Sequence, residues 1–162
     1  MEFRSAIKER YGFAAWPLTP VARPLAEKRG FVPKQAEVRP FLLERRRALP
    51  DHRNAYIDFY HRADDPQVLF SVTVIEHQTP EEAHEALVDF LTTVMAPTLP
   101  ATSEKGIEVG DVGFAGHAEV QTDVCFTRGT VFIRVQSIGD KEASVKELAE
   151  ILDRQVRQHL AV

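Results

Sequence analysis

Residues 125–140 read CFTRGTVFIRVQSIGD, two apolar runs on either side of Arg128-Gly129, with Arg134 inside the second run. Gly129 can supply the positive backbone angle of a tight turn, so the stretch predicts a β-hairpin closed at TRGT. The plan repeats upstream. A shift of 63 places carries Asp65-Pro66 onto Arg128-Gly129, and Val68, Phe70 and Val72 onto Val131, Ile133 and Val135. At a shift of 62, Ala83, Leu87, Phe90 and Val94 fall on Val145, Ala149, Leu152 and Val156. Each half therefore reads as a hairpin followed by an amphipathic helix. The expected fold class is α+β: an antiparallel sheet of two pseudo-repeated hairpin-plus-helix units, with both helices on one face.

The first unit carries its own local signals. In AYIDFYH, Ile57, Phe59 and His61 alternate with Tyr56, Asp58 and Tyr60, the period-two pattern of a half-buried strand. RADDPQ is a turn, and VLFSVTVIE is the partner strand. Thr79, Pro80 and Glu82 form an N-terminal helix signal, a capping box with proline at the first helical position. Ala83, Leu87, Phe90, Leu91 and Val94 make one apolar stripe, and Pro97 and Pro100 stop the helix.

Ahead of this body lies a different segment. Six of the ten prolines fall in the first 50 residues, which excludes one long helix there. A short helix over 3–11, a helical turn near Pro24 to Arg29 and a strand FLLERRRA from Phe41 are expected. Phe3, Phe13, Trp16, Phe31 and Phe41 are apolar anchors for docking this arm on the body. The chain is thus read as one domain, 1–162, with an arm (1–50), a first unit (51–97) and a second unit (106–160).

Composition narrows the function classes. A chain of 162 residues, 44% hydrophobic and 27% charged, suits a soluble globular domain. It has neither a run long enough to span a membrane nor an apolar signal region at MEFRSAIKERYGF. A cytoplasmic location is the default expectation, and the envelope is the alternative where a signal has been removed. One cysteine, Cys125, leaves no intrachain disulfide, and its apolar neighbours suggest a buried thiol rather than a nucleophile. Residues 1–53 hold twelve Lys and Arg against six Asp and Glu; the remainder holds eight against eighteen. The basic arm is expected to lie against an acidic body. Arg45-Arg46-Arg47 has no recognition helix or stacking motif beside it, so no nucleic-acid partner is expected.

No motif specifies a reaction. The glycines at 106, 110, 113 and 116 lack the lysine and the strand-to-helix context of a phosphate loop and read as tight turns or bulges. His77, His84 and Glu81 could be imagined as metal ligands, but the spacing suits solvent-facing helix residues, and no cofactor or metal is expected. Ser, His and Asp nowhere form a nucleophile signature.

The stretch 108–157 resembles a module of uncharacterised bacterial proteins, many of them envelope-associated. In that module a GD precedes two strands, an arginine-glycine turn joins them, and a helix with LA…ID closes the unit. Gly110-Asp111, Arg128-Gly129, Leu148-Ala149 and Leu152-Asp153 match it, whereas Thr130 stands where the module usually has asparagine. The resemblance covers under a third of the chain and implies fold, not chemistry. At fold level the whole plan resembles sandwiches of the photosystem-accessory and nuclear-import-accessory type, which mostly act by binding.

With helices over Ile57, Phe59, Phe70, Val72, Ile133 and Val135, the opposite face would show Tyr56, Asp58, Tyr60, Leu69, Ser71, Thr73, Phe132, Arg134 and Gln136. That mixture is too apolar for plain solvent and too polar for a core. The expected binding residues are therefore Arg134, Tyr56, Asp58, Tyr60, Phe132 and Gln136. The first functional expectation is a non-enzymatic binding or assembly module, a homodimer or a partner of another protein. The alternative is a small-molecule-binding protein or a hydrolytic enzyme that takes a small anionic ligand in a pocket between arm and sheet, with Arg134 as the hook and Tyr56, Asp58 and Tyr60 beside it.

Overall fold

The computed structural model describes residues 2–50, 54–94 and 98–161. Strands β1 (Phe41–Ala48), β2 (Ala55–Arg62), β3 (Asp65–Glu76), β4 (Val112–Ala115), β5 (Asp123–Arg128) and β6 (Val131–Ser137) accompany helices α1 (Glu2–Arg10), α2 (Pro80–Thr92) and α3 (Lys146–Leu160). The strands form one six-stranded sheet in the order β1-β2-β3-β6-β5-β4, antiparallel throughout. The expected α+β class and antiparallel sheet are present. FLLERRRA does more than dock: it is the edge strand of the sheet.

Local signals place the helix start. Thr79 Oγ1 accepts the Glu82 N–H at 3.1 Å, while the Glu82 carboxylate accepts the Gln78 N–H at 2.9 Å, so the reciprocal half of the box has moved back one residue. The helix ends at Thr92; Pro97, like His52 at the other end of this unit, lies outside the described residues.

Register decides which side chains share a face. Tyr56, Asp58 and Tyr60 stand opposite Val74, Val72 and Phe70, and on the other side of β3 these stand opposite Ile133, Val135 and Ser137. Tyr56, Asp58 and Tyr60 therefore belong with the core-facing valines, which corrects the expected assignment of Ile57 and Phe59 to that face. Both alternating sets of β2 are largely apolar, so periodicity alone could not say which one aligned with Val72.

The helices lie on opposite faces, a second correction. Leu148, Ala149, Leu152 and Val156 of α3 pack on Val124, Phe126, Ile133 and Val135, joined by Phe31 and Val38 of the arm. Leu87, Val88 and Leu91 of α2, with Ile7 of α1, pack on Cys125, Phe132 and Phe114 on the other side. The reason lies in β5 and β6, whose Val124-Cys125-Phe126 and Val131-Phe132-Ile133 runs are buried on both faces. A sheet apolar on both sides needs cover on both. Helices α2 and α3 therefore do not stand on one common face of the sheet, as two like units would require.

The arm links the two faces. Its α1 lies along α2, where Arg4 and Lys8 pair with Glu85 and Arg4 also with Asp89. It then passes the β5–β6 turn, where Thr19 donates to Asp111 at 2.6 Å. Beyond the turn it reaches α3, where Lys28 Nζ donates to the His159 carbonyl at 3.1 Å. Gly129 sits at the crossing with φ of +54°, and an added Cβ would lie 2.7 Å from Leu160 Cδ1 and 3.2 Å from Val21 Cγ1.

Gly129→Ala should destabilise the fold more than Gly12→Ala. Both positions have positive φ, but Gly12 meets open space. Backbone strain alone should cost about 1–2 kcal/mol at Gly12, and crowding adds to it at Gly129. The check is the difference between the two variants in urea midpoint at unchanged m.

Candidate functional site

Because Tyr56, Asp58 and Tyr60 face the α3 side and Phe132, Arg134 and Gln136 face the α2 side, the six expected binding residues do not form one site. Asp58 is fully buried and held by Arg46 of the edge strand through two bonds, Nε to Oδ1 at 2.6 Å and Nη2 to Oδ2 at 2.8 Å. Tyr60 Oη donates to Asp58 Oδ2 at 3.3 Å, and the Arg46 guanidinium lies 4.4 Å above the Tyr56 ring. Burial, then the charge of Asp58, pushes both phenols well above their ordinary range. The three residues expected on an open face form a closed ion pair under an arginine lid.

Arg134 is paired as well, with Asp123 on β5 rather than with Asp58. Its Nε and Nη2 reach the two Asp123 oxygens at 3.0 and 2.7 Å, and its guanidinium lies 4.7 Å from the Phe90 ring of α2. Hydrogen bonding to Asp123 raises its pKa further. Arg134 thus marks the limit of the area that α2 covers. Across the sheet, one cross-strand row runs Arg47, Ile57, Thr73, Arg134, Cys125; the next runs Arg45, Phe59, Ser71, Gln136, Asp123. Helix α2 lies against β5 and β6, so Ile57, Phe59, Leu69 and Thr73 keep partial exposure beside Leu42, which is 42% exposed. An open sheet face exists, but it is built from Ile57 and Phe59 in place of Tyr56 and Tyr60.

Strand alternation also divides the basic triplet. Arg46 points to the α3 side, while Arg45 and Arg47 point to the open face, Arg45 lying 4.3 Å from the Phe59 ring. Three consecutive cations on one edge strand cannot present a single patch.

The residues quoted for the bacterial module meet in space. Asp153 of α3, 1% exposed, accepts from Arg128 Nε at 2.7 Å and Nη2 at 3.1 Å, from the Gly110 N–H at 2.9 Å and from Arg157 at 3.3 Å. Asp111 takes the Gly129 N–H at 2.8 Å and lies 3.6 Å from Arg128. Every strong acceptor in this network is occupied, so it ties the turn, the 106–111 loop and α3 together.

A second concave region was not anticipated. Where the arm crosses α3, a groove of about 470 Å³ is lined by Arg23, Lys28, Arg29, Phe31, Val32 and Lys34 from the arm and Gln155 and His159 from the helix. Gln155 clamps Lys34 by its main chain, accepting the N–H at 2.6 Å and donating to the carbonyl at 3.4 Å. Under the groove, Glu76 accepts the Phe31 N–H at 2.6 Å and lies 2.9 Å from His159 Nε2. The signal that could have found it was the basic surplus of residues 1–53.

The remaining candidates separate. Burial pushes the Cys125 thiol far up, with the charge of Asp123 adding to it and Arg134 opposing. His84 is buried, its ring edge-on to Trp16 at 5.4 Å. Among the described residues no group of three His, Cys, Asp or Glu converges, so His77, His84 and Glu81 do not assemble a metal site. No described helix is long and apolar enough to cross a membrane. Comparison of the chain with known protein families, with curated proteins and with solved structures gave no match.

Arg128→Ala should cost about 3–5 kcal/mol, since it strips the main partner from a buried carboxylate. Arg134→Ala, whose Asp123 partner is 38% exposed, should cost about 1 kcal/mol or less. Chemical denaturation of the two variants tests this order. Burial holds His84 below its ordinary pKa of 6.5, so the folded state keeps the ring neutral and the unfolded chain takes up the proton first. The His84 contribution is full above about pH 6.5 and falls as pH drops below it. His84→Gln should flatten that acid limb in a plot of Tm against pH.

Proposed function

We propose that this chain acts by binding rather than by catalysis, and that the open half of the sheet is its assembly surface. The observation that supports the reading is where helical cover stops. Helix α2 lies over β5 and β6, and the adjoining cross-strand rows bring Ile57, Phe59, Leu69 and Thr73 to the same face with no described helix above them. Partly exposed apolar side chains grouped on a rigid sheet are a surface that gains from being covered.

The occupant is a second copy of the chain. The β1 rim of the patch carries both signs of charge, Arg45 and Arg47 beside Glu44, which lies 3.8 Å from His61. A twofold contact places each sign against its opposite. Association by the sheet edge is disfavoured, because β1 carries three arginines and a bulge between Leu43 and Arg45. Two sheets meeting face to face about 10 Å apart would bury the patch and leave the edges free.

The functional groups that chemistry would need are already engaged: Asp58 by Arg46, Arg134 by Asp123, and Asp153 by Arg128. Binding by shape and apolar contact needs none of them. Light scattering coupled to size exclusion should give a dimer mass for the wild type. Leu42→Asp and Phe59→Ser, examined separately, should each give a monomer with unchanged far-UV circular dichroism. A wild type that stays monomeric at high concentration removes the assembly reading.

A further inference from the structure

The groove between the arm and α3 has an unusual charge balance. Arg4, Lys8 and Arg46 of the arm each have a carboxylate partner. Arg23, Arg29 and Lys34 have no ion-pair partner among the described residues, and they converge on the same concavity. Lys28 joins them while donating to a carbonyl, which neutralises nothing. The chain as a whole has 24 acidic residues against 20 basic ones. Leaving these cations unpaired and together in such a chain concentrates positive potential at one place.

The walls are firm. Phe31 is held by its N–H on Glu76 and by its carbonyl, which accepts from Tyr56 Oη at 2.6 Å; Lys34 is clamped by Gln155. Beneath the floor the Glu76 carboxylate is 1% exposed and already engaged by the Phe31 N–H and His159, so it is shielded from an incoming anion. Val32, 48% exposed, adds an apolar surface beside the cations. At about 470 Å³ the groove is larger than a lone inorganic anion needs and falls within the range of small-molecule sites.

We infer that this groove binds a soluble organic phosphate, with the phosphate dianion held by Arg23, Arg29 and Lys34 and a compact organic body against Val32. Arginine forks match phosphate geometry, and two arginines with a lysine can neutralise a dianion. The site lies apart from the open sheet face and does not depend on the dimer.

The test is isothermal titration of the intact protein with adenosine 5′-monophosphate, chosen because it joins a phosphate dianion to a flat organic body. Inorganic phosphate and neutral adenosine serve as part-ligands, and phosphatidylglycerol vesicles as the membrane form of the same headgroup chemistry. The monophosphate should bind saturably, inorganic phosphate more weakly, and adenosine not at all, with affinity falling as salt rises. Arg29→Ala and Lys34→Ala should each weaken the monophosphate about tenfold, and Arg10→Ala, a basic residue outside the groove, should leave it unchanged. The groove substitutions remove side chains with no hydrogen bond or ion pair to the core among the described residues, so thermal stability should hold. Absence of saturable binding by both phosphates, binding indifferent to Arg29 and Lys34, or binding to vesicles alone would each overturn the assignment.

Discussion

A carboxylate with almost no access to water anchors this molecule. Asp153 sits on the buried side of α3, and burying a charge is unfavourable unless donors replace the lost water. Here two donors come from places distant in sequence, Arg128 at the hairpin turn and the Gly110 N–H in the preceding loop, and a third, Arg157, from one turn along the helix. The position of α3 over the sheet, the seat of the β5–β6 turn and the course of the loop into β4 are therefore one problem with one solution. Asp111 extends that solution by holding the Gly129 N–H and the Thr19 hydroxyl, which brings the arm into the same network.

The arrangement of charge follows a common rule. Arginines near the protein's interior are spent on carboxylates within it, Arg46 on Asp58, Arg128 on Asp153 and Arg134 on Asp123. In each case the guanidinium engages both carboxylate oxygens, and for Arg46 and Arg134 it also lies over an aromatic ring. Such pairs do little for affinity toward outside ligands, because the charge is already neutralised. Two features stand out among those outside the core, an apolar half-face of the sheet and a basic groove, and they lie on different sides of the molecule.

Much of the fold was legible in local sequence. Period-two alternation in AYIDFYH and VLFSVTVIE, the Arg128-Gly129 turn, the Thr79 cap and the strand character of FLLERRRA all correspond to elements of the structure. What local pattern could not convey was sidedness. On β2 both alternating sets are largely apolar, and β5 and β6 are apolar on both faces, so no periodic signal told which side α2 or α3 would cover. That ambiguity placed Tyr56, Asp58 and Tyr60 on the wrong face and grouped them with Arg134. The basic surplus of residues 1–53 pointed to the groove without placing it, because its two walls, near residues 23–34 and 155–159, are brought together only by the packed fold.

The crossing of the arm over the hairpin turn has a consequence for how the chain is made. Lys28 meets the backbone of His159 across 131 positions of sequence, and Lys34 meets Gln155 across 121. A segment that leaves the ribosome thus finds its resting place on residues made more than a hundred positions later. Contacts of such separation form late, since the entropy of closing the intervening chain must be offset by structure already in place. During synthesis the wall that α3 supplies, with the His159 ring 5.5 Å from that of Phe31, is missing until the helix has emerged. Helper proteins that shield exposed apolar segments therefore have their opportunity at the arm, for as long as α3 is unfinished.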